Sequence, residues 1–112
     1  MGFQQGLSGL NVSAKNLDVI GNNVANSNTV GFKSSRTEFA DIFASTIVGV
    51  AGTQAGIGAY VSKVAQQFTQ GNITSSANPL DIAINNNGFF RMESAAGATC
   101  YTRNGQFKLD KS

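Results

Sequence analysis

Six carboxylates (Asp18, Glu38, Asp41, Asp81, Glu93 and Asp110) and one thiol, Cys100, are the side chains of this 112-residue sequence best suited to acid–base, nucleophilic or metal chemistry. General acid–base catalysis asks for carboxylates paired so that their environments separate their protonation, and these six are scattered singly. The sequence has no histidine to activate Cys100 as a nucleophile, and the usual Cys/His zinc sets cannot be assembled. Cys100 also lacks a second cysteine for an internal disulfide. It sits in "ATCYTRNG", which reads as a strand, and is expected to be a half-buried structural thiol. The glycine-rich "GVAGTQAGIG" is not a phosphate loop, because no Gly-Lys-Ser/Thr follows at the required spacing. No catalytic residue, cofactor or metal is therefore expected, and the chain is not expected to be an enzyme.

Charge points away from other partners as well. Eight Lys and Arg against six acids leave a net charge of +2 without a basic stripe, so nucleic acid is not an expected partner. "MGFQQGLSGL" has neither the basic start with an apolar run of a signal peptide nor the length of a membrane span, and membrane insertion is not expected. Gly6 stands where a myristoylation motif needs Ser or Thr. The Asn72-Ile73-Thr74 sequon is read as a chance match.

What remains is surface, and the elements that shape it. Phe3, Leu7, Leu10, Ala14, Leu17, Gly21 and Val24 follow alternating steps of four and three, the a/d seam of a heptad pattern, with Ile20 flanking it. Gln4, Gln5, Ser8, Asn11, Lys15, Asn16 and Asp18 mostly occupy the other faces. Gly6, Gly9 and Gly21 each weaken a helix by up to about 1 kcal/mol relative to alanine, so the seam is expected to order against a partner helix. An ordinary surface helix of a globular domain shows a similar stripe. An in-plane membrane helix fits less well, since Lys15 is the only basic side chain before Lys33.

"GNNVANSNTVGFK" then leaves the helix with Asn22, Asn23, Asn26 and Asn28. Asparagine tolerates left-handed backbone and bonds locally, which suits a helix end with orphan carbonyls and a tight exit. Gly31 permits a strained dihedral and Phe32 offers an anchor. Beyond it, Phe39, Ile42, Phe43 and Ile47 allow either a short helix capped by Ser34 or Ser35 or an extended arm with one helical turn, and residues 49–58 read as a loop. Strands are expected from Tyr60, in "LDIAIN", in "FFRMES" and in "TCYT", with Asn104-Gly105 turning a hairpin into a last strand over Gln106 to Asp110. Ile82, Ile84, Phe89, Phe90, Tyr101 and Phe107 are the expected core of this β-region. The fold class is α+β: a long N-terminal coiled-coil helix over 1–27, a junction and linker over 28–70, and antiparallel strands of an incomplete outer domain over 71–112. The sheet reads as unfinished and no second heptad helix follows, so the sequence is expected to be the N-terminal portion of a longer chain.

These motifs have a family likeness. "LSGLNVSAKNLDVIGNNVANSNTVGFKSSRTEFADIF" resembles the N-terminal segment shared by the axial proteins of the bacterial flagellum, the rod and hook proteins, with "NNVANSNTVGFK" its most specific part. "DIAINNNGFFRM" and "YTRNGQFKLD" look like two β-region motifs of the same family in the right order. "NLDVIGNN", "EFADIF" and "NGQFKLD" are most similar to the hook branch, while "VGVAGTQAGIGAY" departs from it and leaves the distal rod branch as the alternative.

The resemblance implies a subunit of a tubular helical polymer, in which the N-terminal helix lies in the inner coiled-coil layer. The hook would act as a universal joint carrying motor torque to the filament; a distal rod protein would form the rigid drive shaft. Implied partners are further copies of the chain, the hook cap, the distal rod and hook–filament junction proteins, and the flagellar type III export apparatus. The implied location is the flagellar hook or basal body, outside the cell after export. On this likeness Phe3, Leu7, Leu10, Ala14, Leu17, Ile20, Gly21 and Val24 form the assembly seam. Asn22, Asn23, Ala25, Asn26, Thr29, Gly31, Phe32 and Lys33 form the junction between layers.

Overall fold

The computed structural model describes residues 2–42 and 56–111. Phe43, Ile47 and most of the glycine-rich stretch lie outside the described residues. Among the described residues the order of elements is α1 (Gly2–Ala25), β1 (Ser35–Asp41), β2 (Ala59–Gln66), β3 (Phe90–Glu93) and β4 (Thr99–Thr102). The strands pair antiparallel as β1 with β2 and β3 with β4, an α+β arrangement. The contacts divide the chain into two units, one of residues 1–25 with 34–67 and one of residues 26–33 with 68–112.

In the first unit α1 packs on the β1–β2 hairpin. Of the two readings open for the stretch after Lys33, the extended one holds over Ser35–Asp41, where no helix forms. Ser35 pairs with Gln66 and Asp41 with Ala59, and the register slips between Glu38 and Phe39, leaving Ser62 opposite no residue. Such a bulge twists a two-stranded ribbon locally. Thr37, 7% exposed, is the most enclosed side chain, and no hydrophobic residue is fully buried among those described.

The second unit is held by local polar bonds and two aromatic pairs. β3 and β4 join through a turn in which the Gly97 N–H donates to the Ser94 carbonyl at 2.7 Å and the Ser94 N–H to the Ala98 carbonyl at 2.8 Å. The expected hairpin at Asn104-Gly105 does not form. A two-residue type I′ turn needs positive φ at both residues, and neither has it. Instead the Asn104 Oδ1 accepts the Gln106 N–H at 3.0 Å, and the chain runs on to pair with an earlier segment through an isolated bridge between Asp81 and Gln106. The strands expected over "LDIAIN" and Gln106 to Asp110 reduce to that bridge, because a single ladder contact gives neither segment a neighbour along its length.

The expected core is also corrected. Ile82 is 55% exposed, Phe89 50% and Tyr101 68%, so alternation marked the strand faces without anything among the described residues to cover them. Phe90 meets Phe107 edge to face with centroids 5.2 Å apart, and Phe68 meets Phe89 at 5.7 Å. Such pairs contribute roughly 0.5–1.5 kcal/mol each beyond area burial.

Candidate assembly surface and junction

α1 carries two stripes. Half-buried positions recur at Gln5, Ser8, Gly9, Val12, Asn16, Val19 and Asn23, the face turned to the hairpin. At about 100° per residue this stripe lies roughly 155° around the axis from the apolar seam. The seam is accordingly uncovered: Phe3 is 85% exposed, Leu10 70%, and Leu17 and Val24 67% each. Leu7 and Ile20 are exposed too, and no side chain of the helix is fully buried. The face the helix uses internally is thus polar and small, and its apolar face is left outward.

The internal face works through specific side-chain bonds. Gln5 Nε2 donates to the Gly56 carbonyl at 2.9 Å. Ser8 Oγ donates to the Gln5 carbonyl at 2.8 Å and accepts the Ala59 N–H at 3.3 Å. Asn23 makes both bonds an amide can make to one residue: its Nδ2 donates to the Ser35 carbonyl at 2.7 Å and its Oδ1 accepts the Ser35 N–H at 2.9 Å. The Ser34 carbonyl faces β2 and accepts the Gln67 N–H at 2.8 Å, so Ser35 presents its backbone to the open side. Among the described residues no strand lies on that side of β1, and Asn23 stands in for one at Ser35, satisfying both of its edge groups. A shallow groove beside it is lined by Lys15, Asp18, Val19, Asn22, Ser35, Val61 and Val64.

In the other unit, residues 26–33 of the junction stretch meet the second β motif. The Thr29 N–H donates to the Asn26 carbonyl at 3.0 Å, and the Phe32 N–H to the Thr29 carbonyl at 3.3 Å. Gly31 has φ +76°, and a Cβ there would sit 2.6 Å from both the Arg103 carbonyl carbon and the Asn104 nitrogen. Glycine is required twice over, for its dihedral and for the approach of two backbones. Lys33 Nζ donates to the Thr69 carbonyl at 2.7 Å. Arg103 gathers the next loop, donating to the carbonyls of Ile84 at 2.9 Å, Asn86 at 2.6 Å and Gly88, and to Gln70 Oε1 at 2.9 Å. Gly105 is enclosed against the Ile82 backbone, whose N–H donates to the Gly105 carbonyl at 3.0 Å.

The structure thus separates the residues singled out from the sequence. The seam positions share one uncovered face; Asn23 bonds within the helix–hairpin unit; Asn26, Thr29, Gly31, Phe32 and Lys33 belong to the other unit. Gln5 and Ser8, placed by the sequence only on faces away from the seam, and Arg103, which no motif singled out, make bonds that the sequence did not foretell. A signal for the first two was present, since polar residues at 5, 8, 16 and 23 with Val12 and Val19 repeat the same steps of three and four. None existed for Arg103, whose carbonyl partners are 15 to 19 residues away. Cys100 is exposed on β4 and not half-buried, because the hairpin face it stands on has no cover among the described residues. Among the described residues no three His, Cys, Asp or Glu side chains converge, and no helix is long and apolar enough to cross a membrane.

Comparison with known proteins points the same way at both ends of the chain. Residues 3–33 match the family described as flagella basal body rod protein, and residues 83–112 match the flagellar hook protein FlgE/F/G D1 domain. The chain is 51% identical over 112 residues to the flagellar hook proteins FlgE of Escherichia coli K12 and of Salmonella typhimurium LT2, covering 100% of the chain and 26% of each relative. It is 40% identical to the flagellar basal-body rod protein FlgG of Bacillus subtilis 168, over 96% of the chain and 44% of that relative. The chain thus spans about a quarter of the length of the hook proteins it matches.

Proposed function

Because the chain belongs to the flagellar rod and hook protein family of the bacterial flagellum, we propose that it serves as a structural subunit of the flagellar hook, polymerising into a flexible tube that passes motor torque to the filament. The observation that carries this reading is 51% identity to hook proteins along all 112 residues. Rod proteins match at 34–40%, so the rigid-shaft reading has less support.

In this reading the uncovered seam is the assembly surface. Phe3, Leu7, Leu10, Ala14, Leu17, Ile20, Gly21 and Val24 face away from the hairpin, and each large side chain among them gains about 1.5–3 kcal/mol when a second helix covers it. Residues 1–27 supply the inner layer, 28–70 the junction and linker, and 71–112 the first part of the outer domain. Asn22, Asn23, Ala25, Asn26, Thr29, Gly31, Phe32 and Lys33 hold the layers' connection. Partners are further copies, the cap, rod and hook–filament junction proteins, and the export apparatus.

The test is a chimaera. The 112 residues replace the matching segment of the E. coli hook protein in a strain lacking its own, and hooks are viewed by electron microscopy alongside swimming assays. Curved hooks and motility are expected. Straight shafts, or no polymer from a stable exported chimaera, refute the reading.

A further inference from the structure

Asparagine followed by glycine is the dipeptide most open to spontaneous imide formation, because a residue without Cβ leaves its nitrogen unhindered and its backbone free to turn. The sequence holds two, Asn87-Gly88 and Asn104-Gly105, and the fold treats them differently. Asn104, although exposed, is fastened by local bonds. Its Oδ1 accepts the Gln106 N–H at 3.0 Å and its own N–H donates to Thr102 Oγ1 at 3.1 Å. Gly105 is buried with its carbonyl bonded to Ile82, and Gln106 is bridged to Asp81. Swinging the Gly105 nitrogen onto Asn104 Cγ breaks these bonds.

Asn87 and Gly88 are both exposed, and among the described residues neither the Asn87 amide nor the Gly88 N–H has a hydrogen-bond partner. Gly88 already holds φ +136°, a conformation open mainly to glycine. Arg103 donates to the carbonyls of Asn86 and Gly88 on either side, which sets a positive charge beside the backbone whose nitrogen must lose its proton.

We propose that Asn87 is a spontaneous deamidation site of the folded protein and that Asn104 is protected. The Gly88 nitrogen gives up its proton and bonds to Asn87 Cγ, and the side-chain nitrogen leaves as ammonia. Water then opens the five-membered imide at either carbonyl, giving aspartate or isoaspartate. Both products place a carboxylate in the loop that Arg103 holds, and isoaspartate adds a methylene to its backbone.

The chain is incubated at mildly alkaline pH, folded and in guanidinium chloride, and the tryptic peptides Val64–Arg91 and Asn104–Lys108 are followed by mass spectrometry with fragmentation. The slowing of each site by folding is its rate in denaturant divided by its rate in the folded chain. The proposal stands if folding slows Asn104 at least about tenfold more than Asn87, and falls otherwise. Asn87→Gln must abolish the change in Val64–Arg91; a change that persists assigns it to another asparagine and overturns the proposal.

Discussion

Replacing Asn23 by alanine removes the one side chain that bonds both backbone groups of Ser35, at 2.7 and 2.9 Å. Each such bond contributes about 0.5–1.5 kcal/mol net, and the pair is half-buried, so water recovers part of the loss. The expected cost is about 1–2 kcal/mol, located at the start of β1. Because 1.4 kcal/mol is a factor of ten, protection of the Ser35 amide against hydrogen exchange should fall by roughly five- to thirtyfold. Amides near the Asp41–Ala59 end of the hairpin should change less. Asn23→Asp keeps an acceptor for the Ser35 N–H but turns a carboxylate oxygen on the Ser35 carbonyl, so it should lose at least as much. Asn28→Ala, at an exposed position of the same asparagine-rich stretch, is the control and should change nothing. Unaltered exchange at Ser35 in Asn23→Ala refutes the argument that the helix closes the edge of β1.

Gly31→Ala drives a Cβ to 2.6 Å from the Arg103–Asn104 peptide at a positive φ, and should destabilise that unit by about 2 kcal/mol or more, read as faster exchange of the Ile82 amide. Leu17→Asp, at a side chain 67% exposed, should leave the circular dichroism of the chain unchanged while abolishing polymer in the chimaeric hook; tubes of normal length refute the seam as an assembly surface. Arg103→Gln loses the charged donor to the Ile84, Asn86 and Gly88 carbonyls and should cost about 2 kcal/mol after allowing for partial exposure, measured as earlier proteolysis between residues 84 and 91.

The helix was legible because a seam of Phe3, Leu7, Leu10, Leu17 and Val24 is a strong periodic signal over many residues. β2, β3 and β4 were legible from β-branched and aromatic runs, but their surroundings were not. Asn104-Gly105 carries the commonest hairpin dipeptide, and the structure uses its side chain to turn the chain onto Asp81 instead; local propensity gave way to a contact 25 residues back. The second stripe of α1 was hidden by composition. Gln5, Ser8 and Asn23 look like solvent residues until a strand edge is present to receive them. The isolated Arg103 had no pattern to be read, since its role exists only once three carbonyls converge.

The two ends at which α1 holds the hairpin turn the helix into a ruler. Ser8 to Asn23 is fifteen residues, about 22 Å of helix. The strand between their targets, Ser35 and the Asp41 that pairs with Ala59, is six steps, about 20 Å. One residue inserted between Ser8 and Asn23 turns one end by about 100° relative to the other, and only one of the two holds can survive. A whole heptad restores the direction but overshoots the strand by about 10 Å. Residues added between Ile42 and Gly56, beyond the last backbone pairs of the hairpin and the Gln5 bond, are counted by neither end. Length variation among homologues should accordingly collect in that connection and be absent from Ser8–Asn23, a division of tolerated and forbidden insertions set by matching a helical rise to a strand rise.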